Sequence, residues 1–163
     1  MRVAVIGAAG HIGTYLIPML VDHGYETIAI TRKMSQPYED APAWHKVNRV
    51  LLDRENAPEF IRRVKEMAPD ILVDLVNFHI QATKKIVEEF SDGGLSHYLY
   101  CSSCWAHGMA ETIPFDPDDL RKKPLDDYGK DKFASEMYLK EQYRHNGFPA
   151  TIILPGQISG PGW

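Results

Sequence analysis

Apolar residues in this chain come in short, nearly unbroken runs, separated by longer stretches in which apolar positions recur every three or four residues. That alternation is the sequence form of repeated βαβ units, because strands covered on both faces read as continuous apolar runs while their crossover helices keep one apolar stripe. The runs predict strands over 3–6, 25–30, 47–52, 71–76, 95–102 and 150–154. The amphipathic stretches predict helices over 11–23, 56–67, 81–90 and 126–146, with Gly24 and Gly147 placed to close the first and the last. From 104 to 125 the chain is rich in proline and acid, Pro114, Pro117 and Pro124 among them, so a long irregular loop is expected. Loops of that length usually carry function. The fold class is α/β, a doubly wound parallel sheet between two helix layers, and no internal repeat interrupts it.

Bulk properties narrow the picture. A chain of 163 residues suits one ordinary domain, and 44% hydrophobic with 25% charged residues is the balance of a globular protein. The net charge of -4 offers no basic face of the kind that phosphate backbones select, so nucleic acid is excluded as the main partner. The opening MRVAVIGAAG is too short an apolar run for a membrane span and lacks a secretory cleavage pattern, so no membrane partner and a cytoplasmic location are expected. Cys101 and Cys104 are too few for a disulfide framework, and without a second ligand pair their CxxC spacing argues against zinc, so reduced thiols are expected. The seven histidines are scattered, with no spacing that compels a metal.

Directly after the first strand stands Gly7-Ala8-Ala9-Gly10-His11-Ile12-Gly13, leading into the first helix. A glycine turn between strand and helix lets backbone N–H groups approach a pyrophosphate, and the helix N-terminus adds unpaired donors and partial positive charge. The alternative is a tight turn in which Gly13 serves close packing. The context favours the dinucleotide, and with it a fold of the Rossmann type. Preference between the two nicotinamide dinucleotides is read at the end of the second strand, where an acid would bind the ribose 2′-hydroxyl of NAD. Thr31, Arg32 and Lys33 stand there instead. A guanidinium can hold a 2′-phosphate that a carboxylate would repel, so NADP is expected ahead of NAD.

Tyr128 and Lys132 are four residues apart on one face of the long helix. A free phenol titrates near 10 and is a poor base, but a nearby ammonium stabilises phenolate, so the pair can shuttle the proton of a carbinol while hydride leaves its carbon. A hydroxyl at the end of a neighbouring strand would hydrogen-bond the substrate oxygen, and Ser102 and Ser103 occupy that place.

On these motifs the chain resembles the extended short-chain dehydrogenase/reductase family, which includes nucleotide-sugar epimerases and dehydratases. The glycine run is similar to its cofactor fingerprint, Leu52-Asp53-Arg54 to the segment whose aspartate contacts adenine, and Tyr100-Cys101-Ser102-Ser103 with Gly108 to its catalytic-serine segment. Tyr128 and Lys132 match its YxxxK pair, and Leu154-Pro155-Gly156 with Gly160-Pro161-Gly162 resembles its RPxxxxGPG segment. The resemblance implies Ser103, Tyr128 and Lys132 as catalytic residues. It implies a cofactor site of Gly7, Ala9, Gly10, His11, Ile12, Gly13, Thr31, Arg32, Lys33, Asp53, Arg54, Val76, Ser102, Tyr128, Lys132, Pro155 and Gly156, with no metal. Leu154 stands where the family often has arginine, His107 where a tyrosine is usual, and Val76 and Asn77 replace small residues after the fourth strand. The substrate therefore stays open between a small carbonyl or alcohol and a nucleotide sugar, and a homodimer is compatible with the pattern. The family's substrate lobe follows the GPG segment, so the expectation is a nucleotide-binding domain over 1–163 with that lobe absent. The alternative is a regulatory protein of the same fold that binds NADP(H) without turnover; the tyrosine and lysine favour the enzyme.

Overall fold

The computed structural model describes residues 1–33, 37, 41–55, 57–110 and 114–161. Its elements follow in the order β1 (Arg2–Ile6), α1 (His11–Asp22), β2 (Glu26–Thr31), β3 (Asn48–Leu51), α2 (Ala57–Glu66), β4 (Ile71–Asp74), α3 (Ile80–Glu89), β5 (His97–Cys101), α4 (Asp127–Asn146) and β6 (Ala150–Ile153). The strands form one six-stranded sheet in the order β3-β2-β1-β4-β5-β6, and each neighbouring pair is parallel. That is the doubly wound Rossmann order, with the direction of winding reversing between β1 and β4.

The sheet is covered on both faces, which is why its strands lost polar alternation in the sequence. Ala4, Ile6, Ile28, Ile30, Leu72, Tyr98 and Tyr100 pack on one face against Phe60 and Val64 of α2, Ile86 and Val87 of α3 and Leu139 of α4. Val3, Val5, Ala29 and Val73 pack on the other against Ile17 of α1 and Trp44. Trp44 belongs to a short 3-10 turn, Pro42–Lys46, that the sequence pattern did not announce.

Element ends depart from expectation where pairing partners run out. The fourth strand was expected to reach Val76, yet β4 stops at Asp74, opposite Ile6, because β1 turns away at Gly7. Gly7 has φ +83, a conformation that glycine adopts without a side-chain clash. The fifth strand was expected from Leu95 and begins at His97; the third was expected over 47–52 and is confined to an edge pair over Asn48–Leu51. Asn56, Gly162 and Trp163 lie outside the described residues. Among the described residues of the 104–125 segment, 104–110 and 114–125, a 3-10 turn lies at Cys104–Ala106 and a bridge joins Gly108 to Lys123, and the rest is irregular. Among the described residues no helix is long and apolar enough to cross a membrane, and no cluster of His, Cys, Asp or Glu is arranged to hold a metal ion.

Candidate active site

At the carboxyl ends of the strands lies a cleft of about 720 Å³. This is where an open doubly wound sheet places ligands, in the crevice at its switch point. The turn after β1 contributes Gly7, Gly10, His11, Ile12 and Gly13; the segment after β4 contributes Leu75, Val76 and Phe78. Ser102, Ser103, Cys104 and Trp105 come from the end of β5, Tyr128 and Lys132 from α4, and Pro155 to Ile158 from beyond β6.

The glycine turn has the geometry of an anion cradle. Gly10 is the N-cap of α1 and offers no side chain to its first turn, which holds no acidic residue, so no carboxylate competes for that helix end. Gly13 is fixed by packing: a Cβ there would come within 2.1 Å of the Ala8 carbonyl oxygen, so only glycine lets α1 sit this close to the turn.

Lys132 is 1% exposed, and its ammonium donates to the carbonyl oxygens of Asn77 at 2.6 Å and Cys101 at 2.7 Å. It thereby ties α4 to the ends of both β4 and β5. The rings of Tyr100, Phe78 and Tyr128 lie 5.0, 5.5 and 5.6 Å from the same nitrogen. Burial lowers its pKa from the usual lysine value. Below it Asp74, fully buried, accepts from Arg54 at 2.6 Å and from Asn77 and Tyr98 at 3.1 Å each. The Asn77 amide also reaches Thr83, whose hydroxyl bonds Ser135 of α4.

Tyr128 is 37% exposed, its ring 6.1 Å from Phe78 at the cleft wall. The sequence reading expects Lys132 to lower this phenol. In the structure the balance runs the other way: burial is the largest influence and raises its pKa, and the hydrogen bond from Ser103 only partly offsets that. Ser103 itself is buried and caps the Cys104–Ala106 turn, its Oγ accepting from the Trp105 N–H at 3.3 Å.

The cleft therefore gathers Ser103, Tyr128 and Lys132 with Gly7, Gly10, His11, Ile12, Gly13, Val76, Ser102, Pro155 and Gly156. It does not gather the rest. Thr31, Arg32, Lys33, Asp53 and Arg54 lie toward the β2–β3 edge, and Ala9 is in the turn without lining the cleft. Arg54 turns inward onto Asp74, with its guanidinium 5.0 Å from the Phe60 ring centre, while Asp53 accepts from the Glu55 N–H within its own turn at 3.0 Å. Among the described residues Arg32 pairs with Glu55 at 3.6 Å, both side chains well exposed.

Residues 3–162 match the sequence profile of the NAD dependent epimerase/dehydratase family. The chain belongs to that family. A UDP-glucose 4-epimerase of Rhizobium meliloti is 22% identical over 166 residues, covering 93% of this chain and 50% of the relative. An uncharacterised 37.6 kDa protein of Escherichia coli O111:H- is 25% identical over 187 residues, covering 99% of this chain and 55% of its own. The chain thus spans about half the length of the curated relatives it matches. Among solved structures, a putative epimerase from Burkholderia cenocepacia aligns with TM-score 0.78 at 23% identity, over 98% of this chain and 55% of that one. UDP-glucose 4-epimerase from Brucella ovis in complex with NAD aligns with TM-score 0.75 at 17% identity, over 93% and 50%. At such identities the likeness is one of fold.

For a member of this family, four residues in and beside the site escaped the sequence reading. Phe78 and Trp105 are large aromatics, 49% and 53% exposed, on the cleft wall. Both follow strand carboxyl ends, a position that could have marked them. Glu136 lies one turn beyond Lys132 and two beyond Tyr128 on the same helix face, and is 1% exposed. A carboxylate in register with two site residues was a signal. Lys122, its partner, sits in the irregular loop, where no periodicity points to it.

Proposed function

We propose that this chain carries the dinucleotide cradle and the acid–base group of a nucleotide-sugar epimerase or dehydratase, or of a closely related oxidoreductase. One observation carries the reading: the Tyr128 phenol, with Ser103 and a buried Lys132 beside it, opens into the same cleft that the glycine turn walls. The residues fit a dinucleotide, since the start of α1 has no side-chain cap and no acid in its first turn and lies on the cleft wall with Gly7, Gly10 and Gly13. The bound nicotinamide ring would take up hydride from a carbinol carbon and return it.

The chain's own part is to hold and move the proton. Tyr128 donates it to a carbonyl oxygen being reduced, or removes it from a hydroxyl being oxidised, while Ser103 hydrogen-bonds the same oxygen as charge develops. Lys132, bound to two carbonyls, brings positive charge next to the phenol and would be the residue to hold a nicotinamide ribose hydroxyl. Because burial keeps Tyr128 above the usual phenol value, the phenol is protonated at neutral pH. Alcohol oxidation should rise with pH as phenolate forms and fade as pH falls.

The test is turnover of UDP-sugars and of simple carbonyl compounds by wild type and by Tyr128→Phe, across pH. Removing the proton carrier should cost about 10²- to 10⁴-fold in rate and flatten the pH dependence, the usual worth of general acid–base catalysis. Equal rates in the two proteins would refute the assignment.

A further inference from the structure

The Glu136 carboxylate has both oxygens engaged: one takes a hydrogen bond from the Ser102 hydroxyl, the other the Lys122 ammonium at 2.5 Å. Both side chains of the ion pair are 1% exposed, and the ammonium also lies 5.7 Å from the Phe133 ring centre. The three groups come from three separate segments. Ser102 follows the end of β5 immediately before Ser103, Glu136 lies on α4 two turns beyond Tyr128, and Lys122 belongs to the returning limb of the 104–125 loop.

Two contacts make that limb part of the site. The loop closes on itself where Gly108 bridges Lys123, with no room for a Cβ at Gly108, which would lie 2.0 Å from the Lys123 carbonyl oxygen; the Lys123 N–H also donates to His107 at 3.0 Å. The outgoing limb presses on the residue after Tyr128, since a Cβ on Gly129 would come within 2.5 Å of the Trp105 carbonyl oxygen. A loop anchored at Lys122 therefore brackets both Ser103 and Tyr128.

We propose that Lys122 and Glu136 are positioning residues, a buried strap that holds the loop, α4 and the end of β5 in the one arrangement that aims Ser103 and Tyr128 into the cleft. The proposal rests on the function read above for those two residues. A buried ion pair adds little net stability against an uncharged pair of the same shape, whereas loss of one partner strands a charge. What the pair supplies is fixed geometry. Besides Lys122, the charged and titratable neighbours of Glu136 among the described residues are Lys132, one turn earlier on α4, and the Tyr100 phenol on β5.

The experiment compares the full chain with Lys122→Met, Glu136→Gln and the double variant. The double strands no charge and keeps an acceptor for Ser102, so it folds even where a single does not. Hydrogen exchange is followed at the amides of Cys104, Trp105, Ala106 and His107, bonded to Pro155 and within the turn, and of Lys123, bonded to His107. In the double variant these amides should exchange about tenfold faster or more while strand amides of β1 and β4 are unchanged, as expected of a local opening. The Kd for NADH should stay within about twofold while kcat falls about tenfold, as when geometry rather than binding is lost. Unchanged exchange at the five amides, equal acceleration throughout the sheet, or wild-type kcat in the double variant would overturn the strap. A wild-type chain that binds no dinucleotide would instead sink the function read above, leaving the exchange result to decide the strap.

Discussion

A buried ammonium must be repaid by its surroundings, and Lys132 is repaid by two carbonyl oxygens and three aromatic faces. The YxxxK spacing made Lys132 legible as Tyr128's neighbour; that it would be pinned by Asn77 and Cys101 was not, because those acceptors are main-chain atoms with no side-chain signature. The direction of the Tyr128 shift was missed for a related reason, since burial is a tertiary quantity that helix spacing does not report. Arg32 stands differently. Its identity at the end of β2 was readable, and its weak, exposed contact with Glu55 leaves it exchangeable. We therefore expect NADP to bind more tightly than NAD, and Arg32→Ala to reduce that preference by about tenfold, the worth of one charge-assisted contact to a phosphate. Dissociation constants for both dinucleotides check this; tighter binding of NAD by the wild type would remove the assignment, in a family whose name is NAD dependent.

At the scale of elements, α4 organises the site. It opens on Asp126, whose side chain accepts from the Gly129 N–H at 2.7 Å, and closes on Gly147 in the left-handed conformation, φ +68. From the sequence the helix was expected over 126–146 with Gly147 closing it; the structure bears out the end at Gly147 and makes Asp126 the cap, one residue ahead of the helix. Asp131, inside the YxxxK stretch, accepts the Ile80 N–H at 3.1 Å and the His79 ring, and so fixes the start of α3 to α4. Asp126→Ala removes the cap just ahead of Tyr128 and should cost about 1 kcal/mol, or a melting temperature lower by about 2–4 °C for a domain of this size. Thermal unfolding by circular dichroism reads it, and an unchanged midpoint would mean the cap contributes nothing. The strand ends were less legible than the helix ends, because a strand stops where its neighbour does: β4 ends with β1, whatever its own residues prefer.

For the whole molecule, the order of apolar runs was enough to give a parallel sheet in three layers, while the switch point between β1 and β4 emerged only from the strand order. Hidden from that reading were pairings between distant segments, such as Lys122 with Glu136 and Arg54 with Asp74, since ion pairs that cross the fold leave no local pattern. The proposed chemistry requires a dinucleotide lying across the switch point, from the glycine turn to Tyr128. A crystal structure of the chain with NADPH or NADH decides it. The expected density has the diphosphate against the start of α1 at residues 10–13 and the nicotinamide between Val76 and Tyr128, with Lys132 toward its ribose. A dinucleotide bound elsewhere, or Tyr128 facing away from the ring, would contradict it.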